Sequence, residues 1–268
     1  MRKILIAGDS FCNKNAHSNS EYAWTRQIET MLSGSNVTCT GQGASSVFSA
    51  LQQVKEQLSI DSSYDTVIVL ITNQDRLYQT VEPIISSLRM AMIHKELHKK
   101  SNVNDDRVLD KIEAVRLYYE HLYEREFHTF MLDACLKELQ SICGNRRLIL
   151  FPAFPVYTES AFAASLLNSY GFCLVDICGR ENTEYDKQFG KDNWRGDFSE
   201  CYTEGNSRIG KINHMCVDNQ HILARYFADL IEFNKSDLGP HSFVTLPKKD
   251  FNLYYKPIGE LAYTGKDF

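Results

Sequence analysis

The sequence predicts a doubly wound α/β fold, three layers with a five-stranded, mainly parallel sheet between helices, and two observations carry that expectation. Short aliphatic runs, nearly continuous in apolar character, recur along the chain, and longer stretches with apolar residues at helical spacing separate them. Strands of that kind suit a parallel sheet covered on both faces, because a half-exposed sheet would alternate apolar and polar positions.

The elements follow in order. Residues 3–7, Lys-Ile-Leu-Ile-Ala, read as the first strand, and 21–32 as a helix. A second strand is expected at 36–40, a second helix at 47–58 and a third strand at 66–71, which completes a β-α-β-α-β opening. Strands four and five are expected at 147–151 and 172–177. The stretch 82–144 is longer than one crossover helix needs and is rich in Lys, Glu, His and Tyr, so it reads as a helical insertion. Within it, Asn102-Val103-Asn104-Asp105-Asp106 reads as a break and an N-cap for a helix starting near Arg107. Such an insertion suits a lid or the face of a homo-oligomer. The irregular stretch 178–213 is long enough to expect a functional loop. A last helix, about 218–233, sets Ile222, Leu223, Tyr226, Phe227, Leu230 and Ile231 on one face. One domain therefore spans 1–233, and a tail, 234–268, is expected to pack on it or on a partner.

Composition narrows the partners. A net charge of -5 in 268 residues argues against nucleic acid, whose phosphates need clustered Lys and Arg. No stretch approaches the roughly 18 apolar residues of a membrane span. The apolar run at 4–7 is too short for the core of a signal peptide. A cytoplasmic protein acting on a small-molecule or carbohydrate substrate is the expectation, with no nucleic acid and no membrane as partner. The eight cysteines form no C-x-x-C pair and no metal-ligand spacing, so they read as reduced thiols in or near the core, and no metal or other cofactor is expected. Cys12 as a nucleophile has no base nearby in sequence.

Three polar clusters follow the first three strands, at the carboxyl ends where open α/β sheets bind ligands. Gly8-Asp9-Ser10 offers a serine hydroxyl, a weak nucleophile until a base accepts its proton; otherwise it is a turn capped by Ser10 or Asp9. In Thr40-Gly41-Gln42-Gly43-Ala44-Ser45-Ser46, glycines allow backbone N–H groups to approach a developing oxyanion; the same spacing also occurs in nucleotide loops and tight turns. In Thr72-Asn73-Gln74-Asp75-Arg76, the Asn73 amide can donate to that oxyanion, or the residues simply turn the chain. Arg76 reads first as a solvated arginine at a helix start, and otherwise as a positive charge favouring an anionic substrate or a stabilised oxyanion.

The order Gly8-Asp9-Ser10, Gly43, Asn73 and a late His before a C-terminal helix resembles the SGNH (GDSL-like) hydrolase family, over residues 4 to about 231. The resemblance implies a flavodoxin-like fold. It also implies Ser10 as nucleophile, an oxyanion hole from the N–H groups of Ser10 and Gly43 with the Asn73 side chain, and a His as base. Asp218-Asn219-Gln220-His221 spells the family's Asp-x-x-His pattern. His214 is preferred, because the family's His lies on the loop before the last helix with a small residue about ten positions on, here Ala224. That register puts His221 inside the helix and makes Asp218 its N-cap. Lys211 then stands where the family has its acid. Asp197, Asp192 or Glu204 could replace it, or Ser10 and His214 could work as a dyad. The block Thr72-Asn73-Gln74 also lacks the family's Gly and its following Asp.

The expected function is a serine esterase or acylhydrolase acting on a small ester, an O-acetyl group on a carbohydrate being the favoured case. Phe154, Tyr157, Trp194 and Tyr202 are candidates for stacking on sugar rings, or for pinning loops. The alternative is a catalytically degenerate binding or structural module of the same fold. A nucleotide-binding domain would need a ribose-binding acid after the second strand, where Ser45-Ser46-Val47-Phe48 offers none.

Overall fold

The computed structural model describes residues 1–13, 23–80, 84–88, 90–91, 94–95, 98, 106–154, 159–174 and 217–243. These fall into two compact units: residues 2–12 with 38–170, and the described residues of 1, 13–37 and 171–268. The elements in chain order are β1 (Lys3–Ala7), a 3-10 turn (Ser10–Cys12), α1 (Trp24–Met31), β2 (Asn36–Cys39), α2 (Val47–Ile60) and β3 (Thr66–Ile71). After them come α3 (Asp106–His121), α4 (Arg125–Cys143), β4 (Arg147–Pro152), α5 (Ala161–Leu167) and α6 (Val217–Phe233). The protein is a mixed α/β fold built on a parallel sheet, with no helix among the described residues long and apolar enough to cross a membrane.

The strand order is β2-β1-β3-β4. β1 runs parallel to β3, with Ile4 opposite Thr66 and Ala7 opposite Val69. β3 runs parallel to β4, from Thr66 opposite Arg147 to Ile71 opposite Pro152. All six residues of β3 are buried and none of β2 is, as expected for an interior strand and an edge. Pro152 is tolerated because it ends its strand at the margin of the described sheet, where a missing N–H costs no ladder bond.

On one face of the sheet, Leu5, Ala7, Val67, Val69, Ile71 and Leu150 form a core with α2, α4 and α5, which contribute Val47, Leu51, Val54, Leu136, Leu139 and Leu167. Ile4, Ile6, Ile68, Leu70 and Phe151, at the alternate positions, are as deeply buried. Burial on both faces is the physical reason these strands lack polar alternation. Ser46 caps α2, accepting from the Ser49 N–H while the Ser49 hydroxyl accepts from the Ser46 N–H.

Two parts of the stretch 82–144 behave differently. α4 buries Leu132, Cys135, Leu136, Leu139 and Cys143 in the sheet core and serves as a crossover helix between β3 and β4. α3 instead joins a small separate cluster, Ile112 and Val115 against Ile85 and Ala91.

The other unit is held by α1 and α6. The Trp24 ring stacks on Phe227 at 4.8 Å, and the Trp24 N–H donates to Gln220 Oε1 at 3.0 Å. The sheet has four strands among the described residues, not five. At Phe172–Leu174, the described part of the expected fifth strand, no strand forms. Gly171 at φ +72° turns the chain there, and the Phe172 ring packs against Tyr226 and Phe243 at 5.4 and 5.7 Å. α6 begins at Val217, so Asp218 is not its N-cap but an exposed residue of its first turn, where a carboxylate faces the positive end of the helix dipole.

Candidate active site

β1 ends in a turn that only glycine can make. Gly8 has φ +144°, and a Cβ there would lie 2.8 Å from both Cys12 Sγ and the Leu70 carbonyl oxygen. Gln53 of α2 holds this residue at both ends: the Gly8 N–H donates to Gln53 Oε1 at 2.9 Å and Gln53 Nε2 donates to the Gly8 carbonyl at 3.0 Å. Ser10 then opens the 3-10 turn, half-buried, and its hydroxyl makes no hydrogen bond among the described residues. Cys12 is buried and donates to the Ala7 carbonyl at 3.1 Å. Burial, reinforced by the Asp9 carboxylate, pushes its thiol well above the ordinary range, which removes it as a nucleophile.

The second loop is pressed onto the first. A Cβ on Gly41 would meet Cys12 Cβ at 2.5 Å and the Asp9 carbonyl oxygen at 2.6 Å, so this glycine permits backbone contact. Gly43 differs: a Cβ would meet nothing within 4 Å. Ala44 follows in the left-handed region, at φ +61°, an unusual conformation for a residue with a side chain. The Ser45 hydroxyl and the Gln42 N–H donate to the Gly8 carbonyl, at 3.0 and 3.2 Å, which binds the Gly43 loop to the Ser10 turn.

The third loop carries Asn73, which is exposed. Its Oδ1 accepts from the Asp75 N–H at 2.8 Å, so the amide Nδ2 is left as the outward donor. No helix starts here, and Arg76 is not solvated as the sequence suggested. Its side chain is 16% exposed and donates through Nη1 to Oδ2 of Asp9, itself 1% exposed, at 3.1 Å. The physical reason is the buried carboxylate, which requires a counter-charge. The same Nη1 reaches the Ser45 carbonyl at 3.3 Å, and the guanidinium lies over the Phe154 ring at 4.6 Å. Phe154 therefore pins this loop, its edge against Phe11 at 6.0 Å.

α3, α4 and the segment joining them hold the Asn73 loop from the other side. Tyr119 donates to the Asp75 carbonyl with the Ser86 carbonyl 3.1 Å from the same hydroxyl, and Tyr123 donates to Asp75 Oδ1 at 2.7 Å. Burial, with the Asp75 charge, pushes both phenols above their ordinary range and keeps them donors. His128 Nδ1 contacts the Gln74 carbonyl at 3.1 Å, which fixes the proton on that nitrogen; Nε2 accepts from Tyr118 at 2.8 Å. None of Gln53, Tyr119, Tyr123 and His128 was singled out from the sequence. The one signal was Gln53, a polar residue one turn past Ser49 in the first half of the helix that follows the Gly43 loop.

The structure thus joins the turn of Ser10 and the loops of Gly43 and Asn73 at the carboxyl ends of β1, β2 and β3. Asp218 and His221 belong to α6. The His221 ring is exposed, and its Nδ1 meets Gln27 Oε1 of α1 at 2.8 Å. Gln27 thus takes the ring nitrogen that an orienting acid would occupy. His214, Asp192, Asp197, Glu204, Lys211, Tyr157, Trp194 and Tyr202 lie outside the described residues.

No family model matches the sequence, and no curated protein matches it. Solved structures do resemble the chain. A protein assigned to the G-D-S-L lipolytic family, from Desulfitobacterium hafniense DCB-2, is similar at 12% identity and a TM-score of 0.41, covering 86% of this chain and 99% of its own. A carbohydrate esterase family 2 enzyme with its carbohydrate binding domain, from Corynascus thermopiles (Myceliophthora fergusii), is similar at 10% identity and a TM-score of 0.41, over 86% of this chain and 65% of its own. An extracellular lipase from Streptomyces rimosus is similar at 12% identity and a TM-score of 0.30, over 60% of this chain and 65% of its own.

Proposed function

We propose that the chain is a serine esterase working through an acyl-Ser10 intermediate. The observation that carries this is a serine hydroxyl that meets no hydrogen-bond partner among the described residues at the end of β1, hydrogen-bonded loops on either side of it, and an Asn73 amide whose Oδ1 is taken by its own loop, so that its Nδ2 is the group it can offer. A serine serving only as a cap would spend its hydroxyl on a backbone group.

In this mechanism His214 takes the Ser10 proton while Oγ attacks the ester carbonyl. The N–H groups of Ser10 and Gly43 and the Asn73 amide stabilise the oxyanion. Collapse expels the alcohol with the proton from His214. Water, deprotonated by the same His, then attacks the acyl-serine and frees the acid. Asp197 is the proposed third member, with Ser10 and His214 as a dyad otherwise. The substrate is a short ester, an O-acetyl group on a carbohydrate in the preferred case, in keeping with the polar loops and the lack of a long apolar segment for a fatty chain.

Hydrolysis of p-nitrophenyl acetate and longer acyl esters by the purified protein, beside Ser10→Ala, His214→Ala and His221→Ala, tests this. Ser10→Ala and His214→Ala are expected to lose roughly a thousandfold or more in kcat, while His221→Ala keeps most of it. Loss at His221 instead moves the base to the Asp218/His221 pair. An inactive wild type whose Ser10 is not labelled by a fluorophosphonate favours a binding module, the reading that Lys211 three residues before His214 supports.

A further inference from the structure

We infer that Asp9 and Arg76 are positioning residues, an ion pair that sets the Ser10 nucleophile against both loops of its oxyanion hole; this rests on the esterase reading above. Asp9 immediately precedes Ser10 and uses its two carboxylate oxygens in different directions. Oδ1 accepts from the Phe11 N–H at 3.0 Å, which shapes the turn around Ser10. Oδ2 accepts from Arg76 Nη1 at 3.1 Å and from the Thr72 hydroxyl at 3.4 Å, both at the end of β3. The same guanidinium nitrogen donates to the Ser45 carbonyl, two residues past Gly43. One charged group therefore contacts the Ser10 turn and the Gly43 loop while standing three residues from Asn73 in its own loop.

The surroundings favour positioning over substrate binding. The Arg76 charge is opposed by a carboxylate with almost no exposure, and the Phe154 ring covers one guanidinium face. An anionic substrate approaching this guanidinium would meet a charge already balanced by the Asp9 carboxylate. Fixed geometry, in contrast, is what the proposed chemistry needs, because a displacement of about 1 Å at a catalytic group costs roughly a hundredfold in rate.

Removing one partner leaves the other charge buried and threatens folding, so the test pairs them. Asp9→Asn/Arg76→Met removes both charges at similar volume and keeps an oxygen for the Phe11 N–H. This double variant is expected to unfold near the wild-type midpoint, with KM for p-nitrophenyl acetate unchanged, kcat lowered about ten- to a hundredfold, and slower fluorophosphonate labelling of Ser10. Arg76→Lys keeps a cation opposite Asp9 and is expected to retain more kcat than the double variant. A double variant with wild-type kcat overturns the proposal, as does a change in KM alone in Arg76→Lys, which would make Arg76 a substrate-binding residue. A wild type that neither turns over esters nor labels removes the esterase reading and this proposal with it, whereas an active wild type with an equally active double variant removes the proposal alone.

Discussion

Gly41 and Gly43 stand two residues apart in one loop and meet opposite surroundings, so the same substitution separates packing from catalysis. Gly41→Ala forces a methyl into Cys12 and the Asp9 backbone, and the neighbours at 2.5 and 2.6 Å have no room to yield. Overpacking of this kind costs about 1–3 kcal/mol, and urea unfolding is expected to show a lowered midpoint together with lost esterase activity. Gly43→Ala adds its methyl to open space, so the unfolding free energy is expected to stay within about 0.5 kcal/mol of wild type and the midpoint to hold. An equal fall in both midpoints would show that Gly43 also packs. The sequence displayed both glycines but not this division, which depends on Cys12 approaching from a different segment. Arg76 was misread for a related reason. A long charged side chain after a strand is ordinarily solvated, and its partner lies 67 residues earlier in the chain.

Among the elements, α4 shows how far periodicity reaches. The stretch 82–144 reads as one helical insertion in the sequence, and periodicity alone does not separate α3 from α4, because both carry apolar residues at helical spacing. The difference is which face meets the sheet. α4 turns Cys135 and Cys143 into the core, and burial pushes both thiols up to about 11 from an ordinary 9.0. The neutral thiol is therefore the form the fold holds. Its contribution is complete below pH 9 and is lost as pH climbs towards 11, since the unfolded chain ionises first. Thermal unfolding of the wild type is expected to lose midpoint across that window, and Cys135→Ala/Cys143→Ala to lose less across it from a lower starting value. Parallel slopes would assign the alkaline loss to other groups. The fifth strand failed at the same scale: Phe172, Cys173 and Leu174 are apolar and buried, as a strand would be, and a short buried run does not declare its backbone.

At the scale of the whole molecule, the parallel sheet was legible because burial on both faces writes itself into continuous aliphatic runs. The placement of Ser10 and Asn73 was legible because each closely follows such a run, whereas Gly43 follows β2, a short edge strand with no buried residue, and was marked by its glycines instead. The hydrogen bonds that tie the three loops together were not, since each joins residues dozens of positions apart.

The burial of the Asp9–Arg76 pair also separates the site from the rest of the protein in its response to dissolved electrolyte. Lys3–Asp61 and Lys55–Glu138 lie at the surface with about 34–42% of their side chains exposed, whereas Asp9 is at 1%. Raising sodium chloride from about 0.05 M to about 1 M shortens the screening distance to roughly 3 Å, which quenches exposed pairs and leaves interior ones nearly intact. Thermal stability is therefore expected to shift with added salt while, on the proposed esterase reading, kcat on a neutral ester stays level, so that the Ser10 turn is insulated from the ionic strength to which the surface responds.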